Sequence, residues 1–306
     1  MPGTRPGMTV HNRTPCGKIR NSLMRIRISH ATSYRYETPP KSVTQVLRLT
    51  PRNHDGQFVI NWRVEVSQDC QLHQHEGAFG NISHVFNAEG PFDELTVTVA
   101  GEVDTQDTHG IVAGCVERFP PALFLRESSL TQPDPAIIEF AQATRADAGK
   151  DTLTLLHALM MGLNAEMTFD IEPTQVETTA AEAFKLKRGV CQDGTHIFIA
   201  AARHLGVPTR YVSGHFYRED DGAAQDAGHA WAEAYVDKLG WVGFDPTNGI
   251  SPTAAHVRVA VGLDYLGAAP VRGTRYGGGG ETLKVTINVD QANWQSQSQS
   301  QSQSQS

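Results

Sequence analysis

"KLKRGVCQDGTHIFIAAARHLGVPTR", residues Lys185 to Arg210, puts a cysteine where a glycine-containing turn enters a helix. Ile197, Phe198, Ala201 and Leu205 share one helical face, Gly206 fits the carboxy-terminal cap, and Pro208 lies just beyond it. Arg203 and His204 complement the negative helix end. The pattern predicts a helix of about 15 residues, about 22 Å long, with Cys191 in its first turn. A thiol there meets unsatisfied backbone N–H groups and the positive end of the macrodipole, and both favour the thiolate. The same position also suits a cysteine that is simply a small buried apolar group.

Helices are predicted upstream of this stretch. "DPAIIEFAQATRADAG" has Asp134 at the N-cap, Pro135 at the first helical position and Gly149 near its end. "DTLTLLHALMMGLNAEM" starts on Asp151, and "TTAAEAFKLKRG" starts on Thr178 or Thr179 with Gly189 after its last turn. Strands return downstream, in "TRYVSGHFY", "HAWAEAYV", "WVGFDPT", "HVRVAVG" and "TLKVTINV". Helices followed by an antiparallel sheet predict an α+β domain over residues 109–290. Residues 24–108 differ. "RIRIS", "VTQVLRLTP", "FVINWRVEVS", "ISHVFNA" and "DELTVTVAGEV" are short and β-branched, divided by turn clusters, with no helical period. They predict an all-β, sandwich-like or barrel-like domain.

Composition sets the outer limits. The chain has 306 residues, 39% hydrophobic and 19% charged, an ordinary globular composition with room for about two domains. Each can bury a core without a metal or disulfide. A net charge of −7 argues against a nucleic-acid partner. No apolar run approaches the roughly 20 residues of a membrane span. Cys16, Cys70, Cys115 and Cys191 are scattered, without a CxxC pair or a secretory leader. That pattern reads as a reducing cytoplasm rather than a disulfide framework or zinc site. Residues 1–23 are basic and polar and are expected to be an unstructured leader, with Met24 or Met8 as a candidate start. The Gln/Ser run within 291–306 cannot bury enough apolar surface to order itself.

A nucleophilic thiol needs a base. "GHAWAEAYV" alternates His229, Trp231, Glu233 and Tyr235 with Ala230, Ala232, Ala234 and Val236. The alanine side suits close packing against a helix, and the His229 side reads as a cleft wall. His229 is either a base or an ordinary strand-end histidine. In "LGWVGFDPT", Asp245 either caps the turn through Pro246, Thr247 and Asn248 or orients the imidazole of His229. The two strands are joined through "VDKLG" and should form a hairpin. A register centred on Asp237 sets His229 opposite Asp245, and one centred on Lys238 sets them diagonal on the same face. Both need an odd loop or a bulge, because an even loop sends the two side chains to opposite faces.

In the ordered blocks "RGVCQDGTH", "GHAWAEAYV" and "GWVGFDPTN" the sequence resembles the transglutaminase-like superfamily, particularly its bacterial cysteine-peptidase-like members. "TTAAEAFKLKRG" and "ARHLGVPTRYVSGHF" extend the likeness. "ISHATSYRYETPPKSVTQVLRLTPR" and the later "FGN" resemble the β domain that often precedes this core. The likeness spans about Met24 to Ile250. It implies a papain-like core with Cys191 as nucleophile, His229 as base and then acid, and Asp245 as orienter. The implied chemistry is acyl transfer on a peptide or protein amide through a thioester, resolved by water or by an amine, with no metal or organic cofactor. A non-catalytic binding protein on the same scaffold is the alternative from another class. Zinc held by Cys191, His229 and Asp245 matches no zinc spacing. Gly194-Thr195 departs from the family pattern, which has an aromatic or aliphatic residue after "CQD", and is expected to leave the cleft roomier or the helix start looser.

Overall fold

The computed structural model describes residues 23–169, 174–218 and 228–292. The leader, apart from Leu23, and the Gln/Ser tail beyond Ala292 lie outside the described residues. The amino-terminal strands are β1 (Met24–Thr38), β2 (Ser42–Thr50), β3 (Gln57–Val66), β4 (His73–Glu76), β5 (Ile82–Glu89) and β6 (Glu94–Thr105). A short β7 (Ile111–Val112) and a 3₁₀ turn at Pro121–Leu125 lead to α1 (Pro135–Ala148) and α2 (Thr152–Glu166). Next come β8 (Thr168–Phe169), α3 (Ala180–Leu186), β9 (Arg188–Gly189) and α4 (Cys191–His204). The chain closes with β10 (Thr209–Phe216), β11 (His229–Val236), β12 (Gly240–Phe244), β13 (His256–Gly262), α5 (Tyr265–Ala268), β14 (Val271–Tyr276) and β15 (Gly279–Gln291).

The caps follow the local chemistry. Asp134 accepts the Ile137 N–H and Asp151 accepts the Thr154 N–H, each satisfying a donor that the first helical turn leaves free. Thr179, not Thr178, caps α3, in a reciprocal capping box with Glu182. That helix stops earlier than the glycine predicted, because Lys187 takes a left-handed φ of 52°.

Two four-stranded sheets, ordered β15-β1-β6-β3 and β14-β2-β5-β4, face each other as the sandwich. Tyr36, Leu47, Leu49, Phe86, Leu95 and Val97 form part of its core. Each such side chain, fully buried, contributes about 1.5–3 kcal/mol. β14 and β15 fall within residues 109–290, the range expected to form the second domain, yet they pair with β2 and β1 of the sandwich. Strand pairing is a long-range property, and sequence order does not reveal it.

A separate five-stranded sheet runs β13-β10-β11-β12-β7, antiparallel throughout. Ala230, Ala232 and Ala234 of β11 share one apolar core with Ile197, Phe198 and Ala201 of α4, so small side chains let the helix lie close on the sheet. The opposite face of β11 is not an open wall. Trp231 is packed with Val212, Val261 and Phe79, the last from the sandwich. Glu233 is fully buried and takes ion pairs from Arg210 and Arg258, both at 2.7 Å. Burial opposes its charge, but the two guanidinium groups outweigh that and pull Glu233 down to about 2.

Side-chain amides of the sandwich grip the edge of β13. Gln57 donates to the Arg258 carbonyl at 2.9 Å and accepts the Arg258 N–H at 2.8 Å. Asn81, from the "FGN" block, does the same to Val261 at 2.7 and 2.9 Å. These paired bonds occupy backbone groups that an edge strand otherwise leaves open. No helix among the described residues is long and apolar enough to cross a membrane.

Candidate active site

The β11–β12 hairpin sets the geometry. Val236 faces Gly240 and Ala232 faces Phe244, a register centred on Lys238. The intervening loop is Asp237–Leu239, an odd turn in which Lys238 takes a φ of 66°, followed by Gly240, the first residue of β12, at 83°. The second of these is a conformation glycine adopts without steric cost. His229 and Asp245 therefore lie diagonally on one face, and His229 Nε2 stands 2.6 Å from Asp245 Oδ2.

Asp245 carries both roles that the sequence left open. Its Oδ1 accepts the Thr247 and Asn248 N–H groups at 3.1 and 3.2 Å, closing the turn. Its Oδ2 takes His229, the Asn248 side-chain amide at 2.7 Å and His256 Nε2 at 3.2 Å. The turn is held from outside by Asn164 of α2, whose amide donates to the Pro246 and Thr247 carbonyls at 3.0 and 2.9 Å. Asp245 is fully buried. Burial works against its charge, but His229 and His256 outweigh that and hold the carboxyl well below the usual carboxylate range.

His229 is buried as well. Burial disfavours its imidazolium, yet the charge and hydrogen bond of Asp245, with the Cys191 side chain, raise it to about 10. With Nε2 engaged by Asp245, Nδ1 is the ring nitrogen left to interact with the Cys191 side chain. The Cys191 thiol is half-buried, with Sγ 3.9 Å from the Gly228 carbonyl oxygen.

Cys191 is the first residue of α4, and Val190 at the N-cap has no polar side chain. Asp193 instead reaches back to accept the N–H of Val190 itself at 2.8 Å and takes the Thr174 hydroxyl at 2.7 Å. Gly194 does not leave the cleft roomier. A Cβ there would lie 2.8 Å from the Phe169 ring, so an aromatic residue of β8 fills the space beside the helix start.

The structure thus brings Cys191, His229 and Asp245 together in one chain of contacts. It also adds His256 and Asn164, which carry no local signal, since "HVRVAVG" reads only as a strand, and it turns the side chain of the expected turn residue Asn248 onto the same carboxylate. The His229 face of β11 is buried rather than an open cleft wall, with the Trp231 ring 6.0 Å from that of His229. Trp231 and Trp241 are core residues, the latter stacked under Arg210 at 3.9 Å, and Tyr235 packs on Trp241.

His229, Asp245 and His256 offer ligand atoms within 4.8 Å of one another, which raises the question of a metal. The donor set does not fit one. The Thr253 N–H donates to His256 Nδ1 at 3.1 Å, so the neutral ring carries its proton on Nε2, the atom a metal would need. The group is a hydrogen-bond network around one carboxylate.

Residues 26–104 match the model of the bacterial transglutaminase-like N-terminal region, and residues 138–246 match that of the transglutaminase-like superfamily core. Uncharacterized protein ML0607 of Mycobacterium leprae is 28% identical over 281 residues, covering 87% of this chain and 99% of its own length. Uncharacterized protein Rv2569c of Mycobacterium tuberculosis is 27% identical over 289 residues, with 87% and 92% covered. A crystal structure from Cytophaga hutchinsonii, named a "Putative Cysteine Protease", superposes with a TM-score of 0.71 at 19% identity, covering 89% of this chain and 92% of that one. Cys191, His229 and Asp245 all fall inside the matched core, and the two matched regions stand in the order of the two folded layers. The chain belongs to the transglutaminase-like superfamily, with the bacterial N-terminal region preceding the core.

Proposed function

We propose that the protein is a cysteine-dependent acyl-transfer enzyme that hydrolyses peptide or isopeptide amides through a thioester. The observation that carries this reading is the contact chain from Cys191 at the head of α4, through His229, to the buried Asp245. Asp245 fixes the His229 tautomer with Nε2 protonated, which turns Nδ1 toward the thiol. His229 takes the Cys191 proton, and the thiolate attacks the amide carbonyl carbon. The Cys191 backbone N–H, in the first turn of α4, is a donor for the oxyanion. The C–N bond then breaks, His229 gives its proton to the leaving amine, and the acyl group stays on sulfur. Water, giving a proton to His229, attacks the thioester and releases the acid and the free thiol.

The test is a peptide-library screen on the purified protein, with and without an added primary amine, beside labelling by a thiol-directed probe. Acid product and loss of turnover in Cys191→Ala are expected, with selective labelling of Cys191 over Cys70 and Cys115. Undiminished turnover in Cys191→Ala would end the proposal. Amine-capped product in place of acid would change the acceptor but keep the thioester.

A further inference from the structure

His256 lies beyond the matched core region, and the reaction above does not use it. Yet its Nε2 stands 3.2 Å from the same carboxylate oxygen that takes His229 Nε2. The Thr253 N–H fills His256 Nδ1, so the ring can reach Asp245 only as a donor. The ring is held in place as well. It packs on Phe216 at 4.5 Å between centroids and edge-on against Trp231 at 5.3 Å. Its strand is tied to the sandwich on both sides: Gln57 pairs with the Arg258 backbone, and the Thr105 hydroxyl donates to the Ala254 carbonyl at 2.5 Å.

We propose that His256 is a positioning residue: a neutral, tautomer-locked donor that holds the Asp245 carboxylate against His229 and so keeps the proton of the Cys191–His229 pair on the ring. The inference rests on that pair as drawn under Proposed function. Among the described residues the titratable partner of Asp245 Oδ2 besides His256 is His229 from β11, which also feels Cys191 of α4, while β10 presents the uncharged Phe216. A charged His256 would compete with His229 for one carboxylate. Burial and the His229 charge both disfavour it, leaving His229 as the cation of the site. The sandwich acquires a role by the same route, because it anchors the strand that presents His256.

The experiment is the pH dependence of Cys191 alkylation by iodoacetamide, read by mass spectrometry of the tryptic peptide 189–203, which contains no other cysteine. It needs no substrate, so it stays informative whatever the turnover screen shows. His256→Phe removes the donor and keeps an aromatic ring. His256→Asn keeps an acceptor for the Thr253 N–H but is too short to reach Asp245, and it serves if the Phe variant does not fold. In both, the alkylation rate at pH 6, relative to each variant's own alkaline plateau, should fall about tenfold, equivalent to one pKa unit. His256→Gln, whose amide reaches toward Asp245, should stay within about threefold of the parent, since a neutral amide donor replaces the ring N–H. Profiles of the Phe and Asn variants that superimpose on the parent would overturn the proposal. So would a parent in which Cys191 shows no enhanced reactivity on the acid side.

Discussion

His229 Nε2 and Asp245 Oδ2 stand 2.6 Å apart, while the other oxygen of the same carboxylate closes the turn that follows its strand. Orientation of the ring and closure of the turn thus depend on one side chain. Asp245→Asn cannot serve both. An amide has a single acceptor oxygen, so its NH₂ must face either the ring N–H groups or the turn N–H groups. A rate about 10²–10⁴-fold lower is expected, from lost tautomer control, with about 1–3 kcal/mol of stability from the unpaired buried donors. Steady-state kinetics and urea denaturation read the two separately. Near-parental turnover would remove Asp245 from the reaction.

Glu233 offers a test of the fold rather than of the chemistry. It sits opposite Arg210 on β10 and is bridged to Arg258 on β13, so it ties three strands together. Glu233→Ala would leave the half-buried Arg258 guanidinium without its ion-pair partner and the fully buried Arg210 with Glu117 alone. A loss of about 3–5 kcal/mol is expected, measured by urea unfolding near pH 7. A loss under about 1 kcal/mol, the range of a surface ion pair, would show that the network is more solvated than its burial indicates.

Acid sensitivity follows from histidines held neutral. His30 on β1 and His215 on β10 meet edge to face at 5.8 Å, where the sandwich packs on the five-stranded sheet. Burial lowers them to about 4 and about 3. A histidine lowered on folding binds its proton in the unfolded chain first. Its stabilisation is therefore complete above the unfolded value near 6.5 and is lost as pH falls toward the folded one. Each should cost about 1.4 kcal/mol per pH unit between roughly pH 6 and pH 4. His215→Phe should flatten that slope in a series of denaturant midpoints, and an unchanged slope would refute the assignment.

His229 gives the opposite sign. Raised to about 10, it adds stability that is full below about pH 6.5 and fades as pH rises through the folded value. His229→Gln should be less stable than the parent at pH 7 and should lose less between about pH 7 and pH 10. Parallel curves for the two proteins across that range would contradict an imidazolium in the folded state.

Gly194 and Phe169 can be tested as a pair. Gly194→Ala gains up to about 1 kcal/mol of helix propensity, but its Cβ meets the Phe169 ring at 2.8 Å. A net loss of about 1–3 kcal/mol is expected from overpacking. Adding Phe169→Leu should recover part of it. Strictly additive effects in the double-mutant cycle would show that the two positions do not share the space.

The elements that local chemistry decides were legible in the residues themselves. Asp134, Asp151 and Thr179 announce their helices because a capping oxygen and the N–H it serves lie three residues apart. Side-chain parity in the β11–β12 hairpin could be argued because loop length fixes register. What lay hidden depends on partners distant in sequence. Phe169 explains Gly194 only once β8 is placed beside α4. His256 gains its meaning only when β13 pairs with β10 and brings the ring to Asp245. β11 alternates as read, but its second face is closed by Phe79, which no pattern within the strand reveals.

The pairing of β15 with β1 constrains the order in which the molecule can assemble during synthesis. β1 leaves the ribosome early and acquires one neighbour, β6, while the chain is still growing. Its other edge stays open until residues 279–291 have been made. Throughout that interval the nascent protein carries a long strand with unpaired backbone groups, the kind of edge that recruits other chains. The helices and the five-stranded sheet, encoded between the two halves of the sandwich, can complete their own core in the meantime. Among the described strands, the last to be synthesised is then the one that seals the first.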